Sequence, residues 1–370
     1  MDTLMFSAIV PALPIYQREL GLSDTTVALI FAAFPVAQLT VALLLPRWVD
    51  RAGRRKALAA GAVLLAVSGV AFAFTTEPVT LAIARAVQGG AAALTWTGAL
   101  AAVSDVYPTS QLGFRLGLAE TAGGGVGLLG PLLSGLLIDA VGVRETFLVI
   151  SIVPLLLAAC VALVPETARQ STTVPSVLAG LRSVVRSRGA RAGALALILL
   201  AIVEAMLEPL LPLDLSDRLG LSASGIGLVL ALGTATLFLG SPLGGWWSDR
   251  AGRRLPLVVG GVITAVALPF VALGPPWWVT LAFATCLGGA AILAAPAGPL
   301  FTEAVDEMGH AGSYGLSAAA MVVVYSAGYT LGPLVGGGLH LALSFQGVTI
   351  AVAVLVALGT AWLAVMLPRG

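Results

Sequence analysis

Trp48-Val49-Asp50-Arg51-Ala52-Gly53-Arg54-Arg55 and Trp247-Ser248-Asp249-Arg250-Ala251-Gly252-Arg253-Arg254 are one phrase written twice, 199 residues apart. The repetition extends outward from it. Leu20-Gly21-Leu22-Ser23 returns as Leu219-Gly220-Leu221-Ser222 at the same offset, and Pro11 and Pro14 return as Pro209 and Pro212 at 198. Gly130-Pro131 returns as Gly332-Pro333 at 202. Four collinear matches at nearly one spacing mark an internal duplication, which has to be recognised before any fold is assigned.

The surroundings of these phrases fix the solvent. The chain has 370 residues, 58% hydrophobic and 10% charged, with a mean hydropathy of +1.01. A soluble domain carries about 25% charged residues, so too few polar side chains exist here to cover a water-exposed globule. A net charge of +1 excludes a nucleic-acid binder, which needs a basic excess to neutralise phosphates. Two cysteines exclude a disulfide framework, and the sequence offers no Cys/His metal spacing and no Walker loop for ATP.

A hydrocarbon core about 30 Å thick needs about 20 apolar residues per helix. With that ruler the chain divides into twelve spans, near 1–17, 26–48, 57–75, 79–104, 113–138, 145–164, 192–213, 223–247, 255–273, 277–301, 314–339 and 346–367. Continuous Ala/Leu/Val/Gly runs exclude a β-barrel, whose strands alternate. The fold class is therefore an all-α membrane protein of two six-helix bundles, residues 1–164 and 192–370, joined by a polar linker, 165–191. Of the nineteen Lys and Arg, fifteen fall in the loops of one side, which places that side and both termini in the cytoplasm. Asp2 to Arg18 climbs only about 24 Å, so the first helix reads as truncated, with further chain expected upstream.

Taken together the motifs resemble the major facilitator superfamily along the whole chain. Asp50-Arg51-x-Gly53-Arg54-Arg55 and its copy Asp249-Arg250-x-Gly252-Arg253-Arg254 are similar to the family's signature loop. Arg85-x-x-Gln88-Gly89 in the fourth span and the Gly-Pro motifs at Gly130-Pro131 and Gly332-Pro333 are similar to others. Val10-Pro11-x-x-Pro14, Met206-Leu207-Glu208-Pro209-x-x-Pro212 and Gly328-Tyr329-x-x-Gly332-Pro333 resemble the drug:proton antiporter branch that includes the vesicular amine transporters. The departures are Phe34 and Val322, where those transporters place a lysine and an aspartate, and the region of Ile292, where a third charge is missing. The resemblance implies parallel halves around a central substrate cavity, a conformational latch in the two loops, and bending at the Gly-Pro motifs.

An ionisable group at membrane depth costs several kcal/mol and is a candidate functional group for that reason. Five qualify: Asp2, Arg85, Glu120, Glu204 and Glu208. Glu204 and Glu208 lie four apart on one helix face before an expected break at Pro209, and two carboxylates that close resist joint ionisation. That suits a proton carrier; the alternative is that one merely bonds backbone freed at the proline. Arg85 reads either as a partner for an acid or as a tie between helix carbonyls. Glu120 stands ten residues before Gly130, the place that Val322 occupies before Gly332, and reads as a relocated cation site or as an acid snorkelling beside Arg115. Asp2 matches the family's first-helix acid, which implies cation contact; the alternative is an acid solvated at a frayed chain end. Phe34, Gln38, Trp96, Tyr325 and Tyr329 are candidate lining residues.

The sequence thus predicts a secondary active transporter, not an enzyme, working by alternating access without a cofactor. It is expected to be a proton-coupled antiporter exporting lipophilic or cationic small molecules, monomeric and multi-pass in the plasma membrane. Its partners are its substrate, protons and the lipid bilayer. The alternatives are a sugar or amino-acid exporter of the same fold, and a receptor or scaffold that has kept the fold without transporting.

Overall fold

The computed structural model describes residues 1–44, 53–107, 109–163, 166, 186–307 and 314–367; the side chains at 43, 100–101, 104, 109–117, 119–122, 314–316 and 318–319 fall outside that description. Every regular element among them is helical. The first six spans become α1 (Asp2–Ala8) and α2 (Leu13–Leu20), joined by a 3-10 turn at Val10–Ala12, then α3 (Asp24–Leu44), α4 (Arg54–Ala73), α5 (Pro78–Val106), α6 (Thr109–Val141) and α7 (Val143–Leu163). The rest become α8 (Arg188–Leu219), α9 (Ala223–Ala251), α10 (Arg254–Ala267) with a 3-10 turn at Leu268–Ala272, α11 (Pro276–Ala294), α12 (Ala297–Glu307), α13 (Tyr314–His340) and α14 (Phe345–Met366). Each expected span coincides with one helix or one interrupted pair.

Among the described residues, ten helical stretches are long and apolar enough to cross a membrane; α1–α2, cut by its turn, and α5, which carries Arg85, fall outside that set. The outward faces agree with a hydrocarbon solvent. Only a third of the most apolar window of α7 is buried, and Val149, Ile152, Leu155 and Leu156 point outward. A continuous apolar face of that size is stable against lipid and unstable against water.

The interruptions fall at prolines, although several other prolines leave their helices unbroken. Pro11 and Pro14 coincide with the break between α1 and α2, and the tenth span parts at Ala295-Pro296, because proline cannot donate the intrahelical hydrogen bond. The expected break at Pro209 is absent: α8 runs unbroken through Pro209 and Pro212, with both rings buried. Pro131 and Pro333 likewise lie inside continuous helices. The duplicated Leu-Gly-Leu-Ser phrase ends α2 and follows α8, with Gly21 at φ +61° and Gly220 at φ +63°. This left-handed residue closes a helix without the strain a Cβ would bring.

Contacts divide the chain into two compact units, Met1–Thr172 with Gly220–Ala231, and Thr173–Leu219 with Leu232–Gly370. Within unit 1, α1 packs on α6, and α4 packs on α5 and α7; within unit 2, α8 packs on α13, and α10 packs on α11 and α14. By the duplication these are the same pairs. Lipid tails are as apolar as leucine, so association here relies on close packing, and glycine permits it. A Cβ on Gly61 would lie 2.9 Å from the Ala91 carbonyl, and one on the equivalent Gly260 would lie 2.6 Å from the Gly289 carbonyl. The Gly-Pro motifs do the same work: Gly130 lies against Ser7, Gly328 against Ile198 and Ala201, and Gly332 against Ile202 and Ala205.

Gly332→Ala, whose new methyl would sit 2.8 Å from the Ala205 Cβ, should lower the melting temperature of the purified protein. Gly338→Ala, with nothing within 4 Å, should leave it unchanged or raise it through helix propensity, worth about 1 kcal/mol. Melting curves of the two variants in one detergent check the opposite signs.

Candidate functional site

The glycine line of α13 brings that helix against α8 in parallel register, and the register decides which polar side chains meet. Gly328, Gly332 and Gly336 seat on Ile198/Ala201, Ile202/Ala205 and Met206/Leu210 in turn. Two residue pairs then face each other with the same separation of 121. The Tyr325 hydroxyl donates to Glu204 Oε2 at 2.8 Å, and the Tyr329 hydroxyl donates to the Glu208 carboxylate. The two phenol rings lie 5.4 Å apart, tilted 33°. All four sequence candidates in this region therefore form one ladder, one helical turn per rung.

Access singles out the acids. Of the fifteen residues 199–213, thirteen are buried, and only Glu204 and Glu208 are partly exposed. A carboxylate only partly open to water must be hydrogen-bonded to be tolerated among apolar helices, and a phenol meets that need without neutralising it as an arginine would. From residue 192 onward, Lys and Arg occur only at 218, 250, 253, 254 and 369, so none is at membrane depth in the second half. The arrangement can hold protons or bind a cation.

Arg85 sits in unit 1 in a different environment. It is 1% exposed, and its guanidinium stands over Phe31 at 4.1 Å, Phe6 at 5.0 Å and Phe34 at 5.1 Å. Its Nη1 donates to Gln88 Oε1 at 2.7 Å, and Gln88 Nε2 donates to the Met5 carbonyl at 2.8 Å. Gly89, the third residue of that motif, lies directly under the Phe34 carbonyl. The motif thus ties α1, α3 and α5 together, with Phe34 as one wall of an aromatic enclosure in which cation–π attraction replaces hydration.

The remaining candidates are dispersed. Asp2 opens α1, accepting from the Thr3 amide at 2.8 Å with the chain's amino terminus 3.8 Å away. Gln38 on α3 and Trp96 on α5 are half-buried. Glu120 falls in α6 with its side chain outside the described residues, as are Asp50 and Arg51 entirely.

The signature loops resolve into pairs that the sequence reading missed. Arg54 Nε bonds Asp105 Oδ2 at 3.0 Å, both largely buried, and the Glu166 carboxylate accepts from the Arg54 and Arg55 amides at 2.5 and 3.3 Å beside Gly53. In the second copy, Arg253 bonds Asp249 and Glu303, each at 3.0 Å. Burial works against the Arg253 charge, but hydrogen bonds and attraction from Glu303 and Asp249 outweigh it and hold the guanidinium above its ordinary pKa. Arg250 instead covers the Trp246 ring at 4.2 Å, and Arg254 begins α10 after Gly252, at φ +77°. Asp105 and Glu303 stand 198 apart, an acid repeated at the duplication offset; that spacing was the signal available.

The sequence profile of the Major Facilitator Superfamily matches residues 1–192 and again 193–370. The synaptic vesicular amine transporter of Mus musculus is 24% identical over 359 residues, 93% of this chain and 66% of that protein. Multidrug resistance protein 2 of Bacillus subtilis is 28% identical over 150 residues, and multidrug resistance protein MdtG of Proteus mirabilis 32% over 149. These alignments cover 40% and 39% of this chain and 37% of each relative's length. The fold is that of a bacterial homologue of the human lysosomal transporter Spinster, solved inward-facing and unoccupied, with a TM-score of 0.78 at 17% identity, covering 99% of this chain and 94% of that one. With helices, repeat and profile in agreement over the whole chain, the protein belongs to the Major Facilitator Superfamily of membrane transporters.

Proposed function

We propose that this transporter is a proton-coupled antiporter that exports lipophilic or cationic small molecules by alternating access. The observation that carries the reading is the Glu204–Tyr325 and Glu208–Tyr329 ladder, whose carboxylates keep partial access on a stretch where every neighbour is buried. Two acids with no second-half Lys or Arg at their depth are suited to protons and organic cations and unsuited to anions. The names of the amine-transporting and multidrug-resistance relatives support the same class of cargo. Glu208 is the principal site because it matches the branch's seventh-span motif. Glu204 lies one turn away, Glu120 and Asp2 are further cation contacts, and Arg85 supports the coupling through α5. The protein acts as a monomer in the plasma membrane, with its termini and basic loops in the cytoplasm.

In this reading the Arg54–Asp105 and Arg253–Glu303 pairs are the latches of the two signature loops, made and broken as the transporter alternates. Flexing at Gly130-Pro131 and Gly332-Pro333 accompanies that motion.

Proteoliposomes with an imposed pH difference and a panel of fluorescent cations test the function. Uptake should follow the gradient and reverse with it, and Glu208→Gln should lower it by about tenfold, the loss of one strong ionic contact. Uptake indifferent to the gradient in both directions overturns the coupling. Glu120→Gln should flatten the pH dependence of transport; an unchanged profile removes Glu120 from the site.

The latches differ in burial, which gives a second expectation. Asp105→Ala removes the carboxylate bonded to a largely buried guanidinium and should cost about 3 kcal/mol. Glu303→Ala acts on a partly exposed pair and should cost under about 1 kcal/mol. Thermal unfolding of the two variants checks the order.

A further inference from the structure

Asp139 is an acid in an unfavourable place for its own helix. It occupies the last turn of α6, where the helix dipole is negative and a carboxylate is repelled. Its partner explains it. Oδ1 accepts from the Ala223 amide at 3.2 Å and Oδ2 from the Ser224 amide at 2.9 Å, so one carboxylate spans the two leading N–H groups of α9. The following turn is satisfied locally, with Ser222 accepting from Gly225 and Ile226. The helices meet closely there: a Cβ on Gly135 would strike the Ala223 carbonyl, and one on Gly227 would strike the Pro131 carbonyl. This start of α9 belongs to unit 1.

The duplication shows that the arrangement is not a demand of the fold. Ala223 is the counterpart of Asp24, at the offset of 199, and Asp24 puts an acid in the first turn of α3 from its own sequence. Asp139 is the counterpart of Leu341, at the Gly-Pro offset of 202. One repeat carries its acid in the helix it serves; the other has alanine there and takes the acid from α6. An acid within the helix is permanent, whereas one supplied by a different helix can be withdrawn.

We infer that Asp139 is a positioning residue for the transport cycle, a releasable tie that holds the start of α9 on the C-terminal end of α6. The tie exists whatever the cargo; its release during transport rests on the alternating-access reading above. Asp139 itself is exposed, so water can replace the two amides when the tie opens.

The test uses the full chain in lipid nanodiscs with Cys160 and Cys286 replaced by serine and Ile226→Cys introduced as a reporter. Ile226 is 1% exposed, so a water-soluble maleimide reaches position 226 only when the start of α9 comes away. Asp139→Asn should raise the labelling rate at least fivefold. Adding Ala223→Asp to that variant returns an acid to the helix as Asp24 does, and should restore the melting temperature while labelling stays fast. An Asp139→Asn rate within twofold of the parent overturns the tie, and so does an Ala223→Asp rescue that slows labelling to the parent rate. Transport that ignores a pH gradient while labelling responds as stated would remove the antiporter reading and leave the tie standing.

Discussion

A carboxylate at membrane depth has no bulk water to answer its charge, and the arrangement of the second repeat follows from that constraint. Glu204 and Glu208 each accept from a phenol, which lowers the cost of burial without fixing the charge. For the phenols to reach them, α8 and α13 must lie backbone to backbone in one register, and Gly328, Gly332 and Gly336 provide that approach. The same scarcity of water accounts for the glycine contacts throughout both units. With no hydrophobic drive between helices in lipid, close packing and hydrogen bonds must hold them together.

Much of this was legible in the sequence because the signals were long or duplicated. Twelve apolar stretches map onto helices because a bilayer imposes a length, and the left-handed glycines at 21 and 220 stand where a repeated phrase put them. Glu204, Glu208, Tyr325 and Tyr329 were recognisable one by one as polar groups in apolar helices. Their pairing was not, because it depends on the lateral register of two helices more than a hundred residues apart in the chain. The partners of the loop arginines were hidden for the same reason, although Asp105 and Glu303 at one offset were a usable trace.

Pro209 shows a different limit. A proline in a helix is expected to break it, since an N–H is lost and the ring crowds the preceding turn. In a membrane bundle, neighbouring helices hold such a turn in place, and α8 continues through both prolines with their rings buried. Pro11 and Pro14, two places in the same motif of the other repeat, do coincide with an interruption. Local chemistry is therefore equal in the two copies, and the surroundings decide the outcome.

The two repeats keep their packing and diverge in their charges, and the divergence has a direction. Gly61 and Gly260, or Gly130 and Gly332, are retained because a side chain at either copy would collide with a neighbouring helix. By the proline offset of 198, Glu204 corresponds to Phe6, which is one wall of the enclosure around Arg85. By the offset of 199, Arg85 corresponds to Ala284. Where one repeat has an aromatic face for a fixed cation, the other has an acid with a phenol, and neither charge is copied. Packing residues persist in both copies because the scaffold requires them twice. An intramembrane charge is a standing cost that packing does not require, so its confinement to one copy marks it as a group kept for what it does. On that argument Glu204 and Glu208 in the second repeat and Arg85 in the first stand apart from the duplicated scaffold, each charge held by partners that its own copy alone supplies.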